Sequence, residues 1–140
     1  MGLLFNDKFV MFVGLNPSTA DELQDDPTMR KCIGFAKRLG FYSLVMTNLF
    51  ALRETDPKRM MQHEAPIGKA NDYWLSATAK RADLIIVAWG TDGTHKYRDE
   101  EVLRILRRIG KPLMCFGKNK DGSPKHPLYV SYKSKLKFYE

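Results

Sequence analysis

The sequence predicts a single α/β domain over residues 1–140, built on a four-stranded parallel sheet. Three observations predict it. Four short apolar runs alternate with segments of helical periodicity, the pattern of strands joined by crossover helices. The apolar runs leave no polar face, so the sheet is covered on both sides. A chain of 140 residues suits one hydrophobic core and not two independent ones.

Taken in order, residues 8–15 form the first strand through Phe9, Val10, Met11, Phe12 and Val13. Asp26-Pro27 then opens a helix, with Asp26 as cap and Pro27 at the first helical position, where its missing N–H costs nothing. Met29, Cys32, Ile33, Ala36 and Leu39 recur along one side, Arg30, Lys37 and Arg38 take the other, and Gly40 stops it. A second strand covers 42–49. Helices follow near Pro57 and over about 69–81. Residues 83–89, the most apolar segment, make the third strand. The helix 97–109 turns Val102, Leu103, Leu106 and Ile109 inward and Arg104, Arg107 and Arg108 outward, and 111–117 is the fourth strand.

With 23 Lys and Arg against 16 Asp and Glu, the formal net charge is +7. That balance suits nucleic acid, nucleotides or other polyanions, or else describes an ordinary solvated basic surface. The longest apolar stretch, 84–89, is far too short to span a bilayer, and no basic segment precedes an apolar one at the N-terminus. A soluble cytoplasmic protein with no membrane partner is expected. Cys32 and Cys115 stand apart, with no Cys-x-x-Cys pair and no clustered histidines. Neither a disulfide nor a metal or other cofactor site is therefore expected, and both thiols belong to the core.

Parallel strands with right-handed crossovers place every strand's carboxyl end on one edge of the sheet. The loops entering strands are short. Those leaving them are long and polar: "GLNPSTADELQDD", "TNLFALRETDP", "WGTDGTHKY" and "GKNKDGSPKHPLY". Ligands of open α/β sheets sit at that edge. In the first loop Asn16 donates and accepts hydrogen bonds and Gly14 permits close approach, so with Pro17 and Ser18 they cradle a small polar ligand or orient a water; alternatively the segment only makes turns. Asp26 has a sufficient role as a cap, and Asn71 and Asp72 are assigned no chemistry. Asn48 either reads the edge of a base or ties down its own loop. Arg53 either binds phosphate or pairs with Glu54 or Asp56. Gly90, with Thr91, Gly93 and Thr94, either offers N–H groups to an anion or makes a plain turn. His63 and His95 are read as exposed. The last loop is not a Walker A motif, because Ser123-Pro124 stands where Lys-Ser/Thr is required. What remains there is His126-Pro127 amid Lys118, Lys120 and Lys125, with His126 either a neutral-pH donor or a structural histidine.

Together, "GLNPSTAD", "DPTMRKCIGFAKRLGF", "TNLFALRETDP", "AWGTDG" and "CFGKNKDGSPKHPLY" resemble a family of small bacterial and phage proteins of unassigned function. More remotely, the order of "GLNP" at 14–17, "TN" at 47–48 and "HP" at 126–127 is similar to the uracil-DNA glycosylase superfamily. That similarity implies a three-layer sandwich around a four-stranded parallel sheet and hydrolysis of an N-glycosidic bond. Under it, Asn16 positions the attacking water, Asn48 bonds the pyrimidine edge and His126 stabilises charge on the departing base. Ser18 stands where that superfamily's motif commonly has glycine, and Leu128-Tyr129 replaces its serine-led loop. A non-catalytic module holding a nucleotide or single strand in the same pocket is the alternative.

Overall fold

The structure, a computed structural model, describes residues 8–22, 24 and 26–140. Its elements are β1 (Val10–Gly14), α1 (Pro27–Arg38), β2 (Leu44–Asn48), α2 (Pro57–Gln62), α3 (Asn71–Arg81), β3 (Leu84–Val87), α4 (Arg98–Ile109), β4 (Leu113–Cys115) and β5 (Lys137–Phe138). Short 3₁₀ segments at Thr91–Tyr97 and Pro127–Tyr129 follow β3 and β4. The sheet order is β2-β1-β3-β4-β5. The first four strands are parallel, as the apolar runs predict, with Gly14 opposite Asn48 and Val13 opposite both Thr47 and Val87.

The sheet has five strands where the sequence predicts four. β5 runs antiparallel to β4, pairing Phe138 with Met114 and Lys137 with Cys115. Two residues carry no periodicity, and Phe138 is 64% exposed, so this strand has no buried run to announce it. The strands are also shorter at their ends than the apolar runs. Residues beyond the last ladder pair turn into loops while staying buried, as Trp89 does.

Alternation along β1 divides the core. Val10 and Phe12 face α1, meeting Cys32, Phe35 and Ala36. Met11 and Val13 face the other layer, with Met60 of α2, Leu75 and Ala79 of α3, and Val102 and Leu106 of α4. All of β1 is buried, which explains its unbroken hydrophobicity. Asp26 caps α1 by accepting from the Met29 N–H at 2.9 Å, and Gly40 follows the helix at φ +86°, both as the sequence predicts. Cys32 and Cys115 are buried free thiols. Burial, with Asp26 adding to it, pushes Cys32 up to about 12, too high for a thiolate nucleophile.

Arg98 is the residue whose role the sequence conceals. It is 1% exposed; Nε donates to the Leu49 carbonyl at 2.7 Å, and the guanidinium meets Asp72 at 2.6 Å and Glu101 at 3.7 Å. Asn71 Nδ2 donates to the Asn48 and Leu49 carbonyls, each at 3.0 Å. These side chains clamp the chain where it leaves β2, a structural task consistent with assigning Asn71 and Asp72 no chemistry. His95 is half-buried, its ring 5.6 Å from that of Phe50, whereas His63 is exposed as expected.

Candidate functional site

β1 and β3 are neighbours whose exit loops lead to opposite faces of the sheet, α1 on one side and α4 on the other. A crevice opens at such a switch point. Here it is a cavity of about 370 Å³, lined among others by Gly14, Asn16, Asn48, Trp89, Gly90 and His126, at the small end of the ~300–1,000 Å³ typical of ligand sites. A side chamber of about 220 Å³ adjoins it, sharing Asn16, Ser18, Asp26, Thr28, Met46 and Asn48 and adding Pro17 and Met29. Every long polar loop of the carboxyl edge contributes to this lining.

The first two exit loops are stitched together. Backbone pairing continues past the strands, with the Leu49 N–H donating to the Gly14 carbonyl and the Phe50 N–H to that of Leu15, each at 2.9 Å. Asn16 Nδ2 donates to the carbonyls of Glu54 at 2.6 Å and of Leu52 and Pro17 at 3.2 Å. All three partners are carbonyl oxygens, so the nitrogen must face them, and Oδ1 stays available as an acceptor. Arg53 completes the stitching: its guanidinium donates to the Ser18, Thr19 and Ala20 carbonyls and pairs with Asp21 at 3.1 Å. The partner is therefore Asp21, and Arg53 does not line the cavity.

Asn48 differs from Asn16. Its carbonyl is held by Asn71, while its half-buried carboxamide has no hydrogen-bond partner among the described residues and lines both chambers. Gly14, opposite it in the ladder, makes the room. A Cβ at Gly14 would lie 2.9 Å from Asn48 Oδ1 and 2.9 Å from Met46 Cε. Thr47 is spent internally, its hydroxyl donating to the Phe12 carbonyl at 2.8 Å.

From the far side comes His126. Nδ1 accepts the Leu128 N–H at 3.2 Å, which places the proton of the neutral ring on Nε2. Burial lowers its pKa below the ordinary histidine value, so the ring is a neutral hydrogen-bond donor at pH 7. Gly90, at φ +79°, donates its N–H to the Pro124 carbonyl at 3.0 Å, and its Cα face abuts His126. The Gly90 N–H is thus committed to the fold.

Charge at the site runs opposite to the expectation from net charge. The lining includes Asp26, Glu54 and Asp92 and, among the described residues, no Lys or Arg. Lys118 turns away, donating to the Glu140 carbonyl at 3.1 Å and lying over the Tyr139 ring, and Lys120 is an exposed residue outside the lining. Asp26 both caps α1 and lines the two chambers, a double duty that its capping signal hides.

A family model described as "Protein of unknown function (DUF1643)" matches residues 5–128. The chain belongs to this family. The DUF1643 segment contains all of the cavity lining except Tyr129. No curated protein and no solved structure matches the chain.

Proposed function

We propose that the cavity takes an uncharged nucleobase and that the protein hydrolyses the N-glycosidic bond joining that base to its sugar. The observation that carries this reading is the Asn48 carboxamide, half-buried, unpartnered among the described residues and facing a cavity without cations. A carboxamide presents a donor and an acceptor side by side, which matches the edge of a base. The lack of Lys and Arg in the lining disfavours a phosphate inside and suits an uncharged ring.

In this reading Asn16 Oδ1 holds a water, and that water's oxygen bonds to the anomeric carbon as the C–N bond breaks. The electron pair of the broken bond goes to the base. His126 donates from Nε2 to the base oxygen that gains negative charge, and the water's proton ends on the released base. A neutral donor aimed at charge that exists mainly in the transition state accelerates the step without holding substrate tightly.

Binding without cleavage is the rival reading, favoured by the way three carbonyls account for Asn16 as a loop brace. Chromatography of free base released from a panel of nucleosides and oligonucleotides separates the two. Hydrolysis predicts base release by the wild type and at least about a 100-fold loss in His126→Ala; saturable binding with no release assigns the cavity to a binding module.

A further inference from the structure

We infer that the face formed by α1 and residues 127–136 binds the sugar-phosphate backbone of a single-stranded nucleic acid. That a base of the same strand enters the cavity rests on the function proposed above; the face stands on separate observations.

The first is where the net charge sits. Helix α1 carries Arg30, Lys31, Lys37 and Arg38 and no carboxylate. The segment 127–136 carries Lys133 and Lys135, again with no carboxylate. Lys137 is left out, because it pairs with Cys115, which faces the α4 layer. Six of the 23 basic residues and none of the 16 acidic ones fall in these two segments, which leaves 17 basic and 16 acidic residues elsewhere. All but one unit of the formal charge of +7 therefore belongs to them. None of the six forms an ion pair with a described residue, and all but the half-buried Lys31 are exposed.

The second is that these segments, nearly 100 positions apart in the chain, form one surface. Tyr132 lies on Phe35 with ring centroids 4.9 Å apart, while the Arg38 guanidinium sits 3.8 Å and the Lys31 ammonium 4.6 Å from the Tyr132 ring. Gly34 is what admits it, since a Cβ there would collide with the tyrosine oxygen. Val130 is buried in the same cluster, with Leu136 packed against it.

The third is continuity with the cavity. Thr28 in the first turn of α1 and His126, Leu128 and Tyr129 at the start of the other segment all line it. At that junction Tyr129 is 82% exposed, an aromatic face open to a base stacking on it. A polymer of anionic links and uncharged planar rings fits a cation-free pocket that continues into a carboxylate-free basic face. Entry of a base into a cavity requires that it be unpaired, hence the single strand.

The other basic surface supplies the control. On α4, Arg104, Arg107 and Arg108 share their helix with Asp99, Glu100 and Glu101. Fluorescence anisotropy with a labelled single-stranded oligonucleotide, over a range of salt, compares two triple variants of the full chain. Lys37→Gln/Lys133→Gln/Lys135→Gln should weaken binding about tenfold or more at low salt and reduce the salt slope by ~0.7 for each phosphate that is no longer neutralised. Arg104→Gln/Arg107→Gln/Arg108→Gln should change affinity less than about twofold, since those cations lie outside the face. Circular dichroism melts confirm that both variants fold. Equal losses in the two variants, no binding by the wild type at low salt, equal affinity for duplex of the same length, or tighter binding to phosphatidylserine vesicles would each overturn the proposal. Failure of the cavity reading looks different: no free nucleoside binds, while oligonucleotide affinity still depends on Lys37, Lys133 and Lys135.

Discussion

Replacing Asn16 and Asn48 in turn by alanine should separate two residues that are chemically identical. Asn16→Ala deletes the N–H groups that serve the Pro17, Leu52 and Glu54 carbonyls and so unties the first two exit loops. Two donors at a net ~0.5–1.5 kcal/mol each give a loss of about 1–3 kcal/mol. In a domain of this size each kcal/mol lowers Tm by about 3–5 °C. Asn48→Ala removes a carboxamide with no partner among the described residues, so its Tm should stay within about 2 °C of the wild type, in line with the roughly ±0.5 kcal/mol typical of substitutions that break nothing. Urea and thermal unfolding followed by circular dichroism measure both, and titration with nucleobases and nucleosides measures binding. Asn48→Ala should lose affinity while keeping stability. Equal stability losses in the two variants would refute the reasoning, because Asn48 would then also be a brace.

Three other outcomes follow from the same geometry. Gly14→Ala should weaken base binding about tenfold or more with a cost of about 1–3 kcal/mol, because the new methyl displaces the Asn48 oxygen; unchanged affinity would remove Asn48 from the site. His126 is more acidic as a cation in the folded state than its unfolded value of about 6.5, so its contribution to stability is present above that value and lost as pH falls through the folded one. Melting curves from about pH 7.5 down to about pH 5 should therefore fall more steeply for the wild type than for His126→Asn, which keeps a capping acceptor; parallel curves would contradict this. Gly34→Ala should destabilise by about 1–3 kcal/mol through the clash with Tyr132, and in a Tyr132→Ala background the same change should stabilise by up to about 1 kcal/mol from helix propensity.

The parts of the fold that depend on local pattern were legible in the sequence. Buried parallel strands announce themselves as unbroken apolar runs, Asp26-Pro27 marks the start of α1, and the long polar loops gather at the edge where the cavity opens. What escaped depends on partners distant in the chain. Lys137–Phe138 is too short and too exposed to read as a strand. Arg98 sits in "YRDEE", which reads as a solvated helix start, yet its acceptor is a carbonyl 49 positions away. Arg53 and Lys118 are committed to backbone carbonyls that composition does not reveal. The net charge was visible, but its location was not, because only the packing of Tyr132 on α1 brings the two carboxylate-free segments together. Asn16 and Asn48 were both legible as candidates; their difference lies wholly in tertiary partners.

The central claim is that the cavity reads a base through Asn48 and His126. Side-chain NMR tests it most directly, with the Asn48 carboxamide and the His126 Nε2–H followed while nucleobases and nucleosides are added. Both should shift in a saturable way, with the same apparent affinity, and each shift should weaken in the variant that lacks the other residue, the Asn48 signal in His126→Ala and the His126 signal in Asn48→Ala. Saturation of neither signal by any base, or shifts confined to residues outside the cavity, would contradict the account.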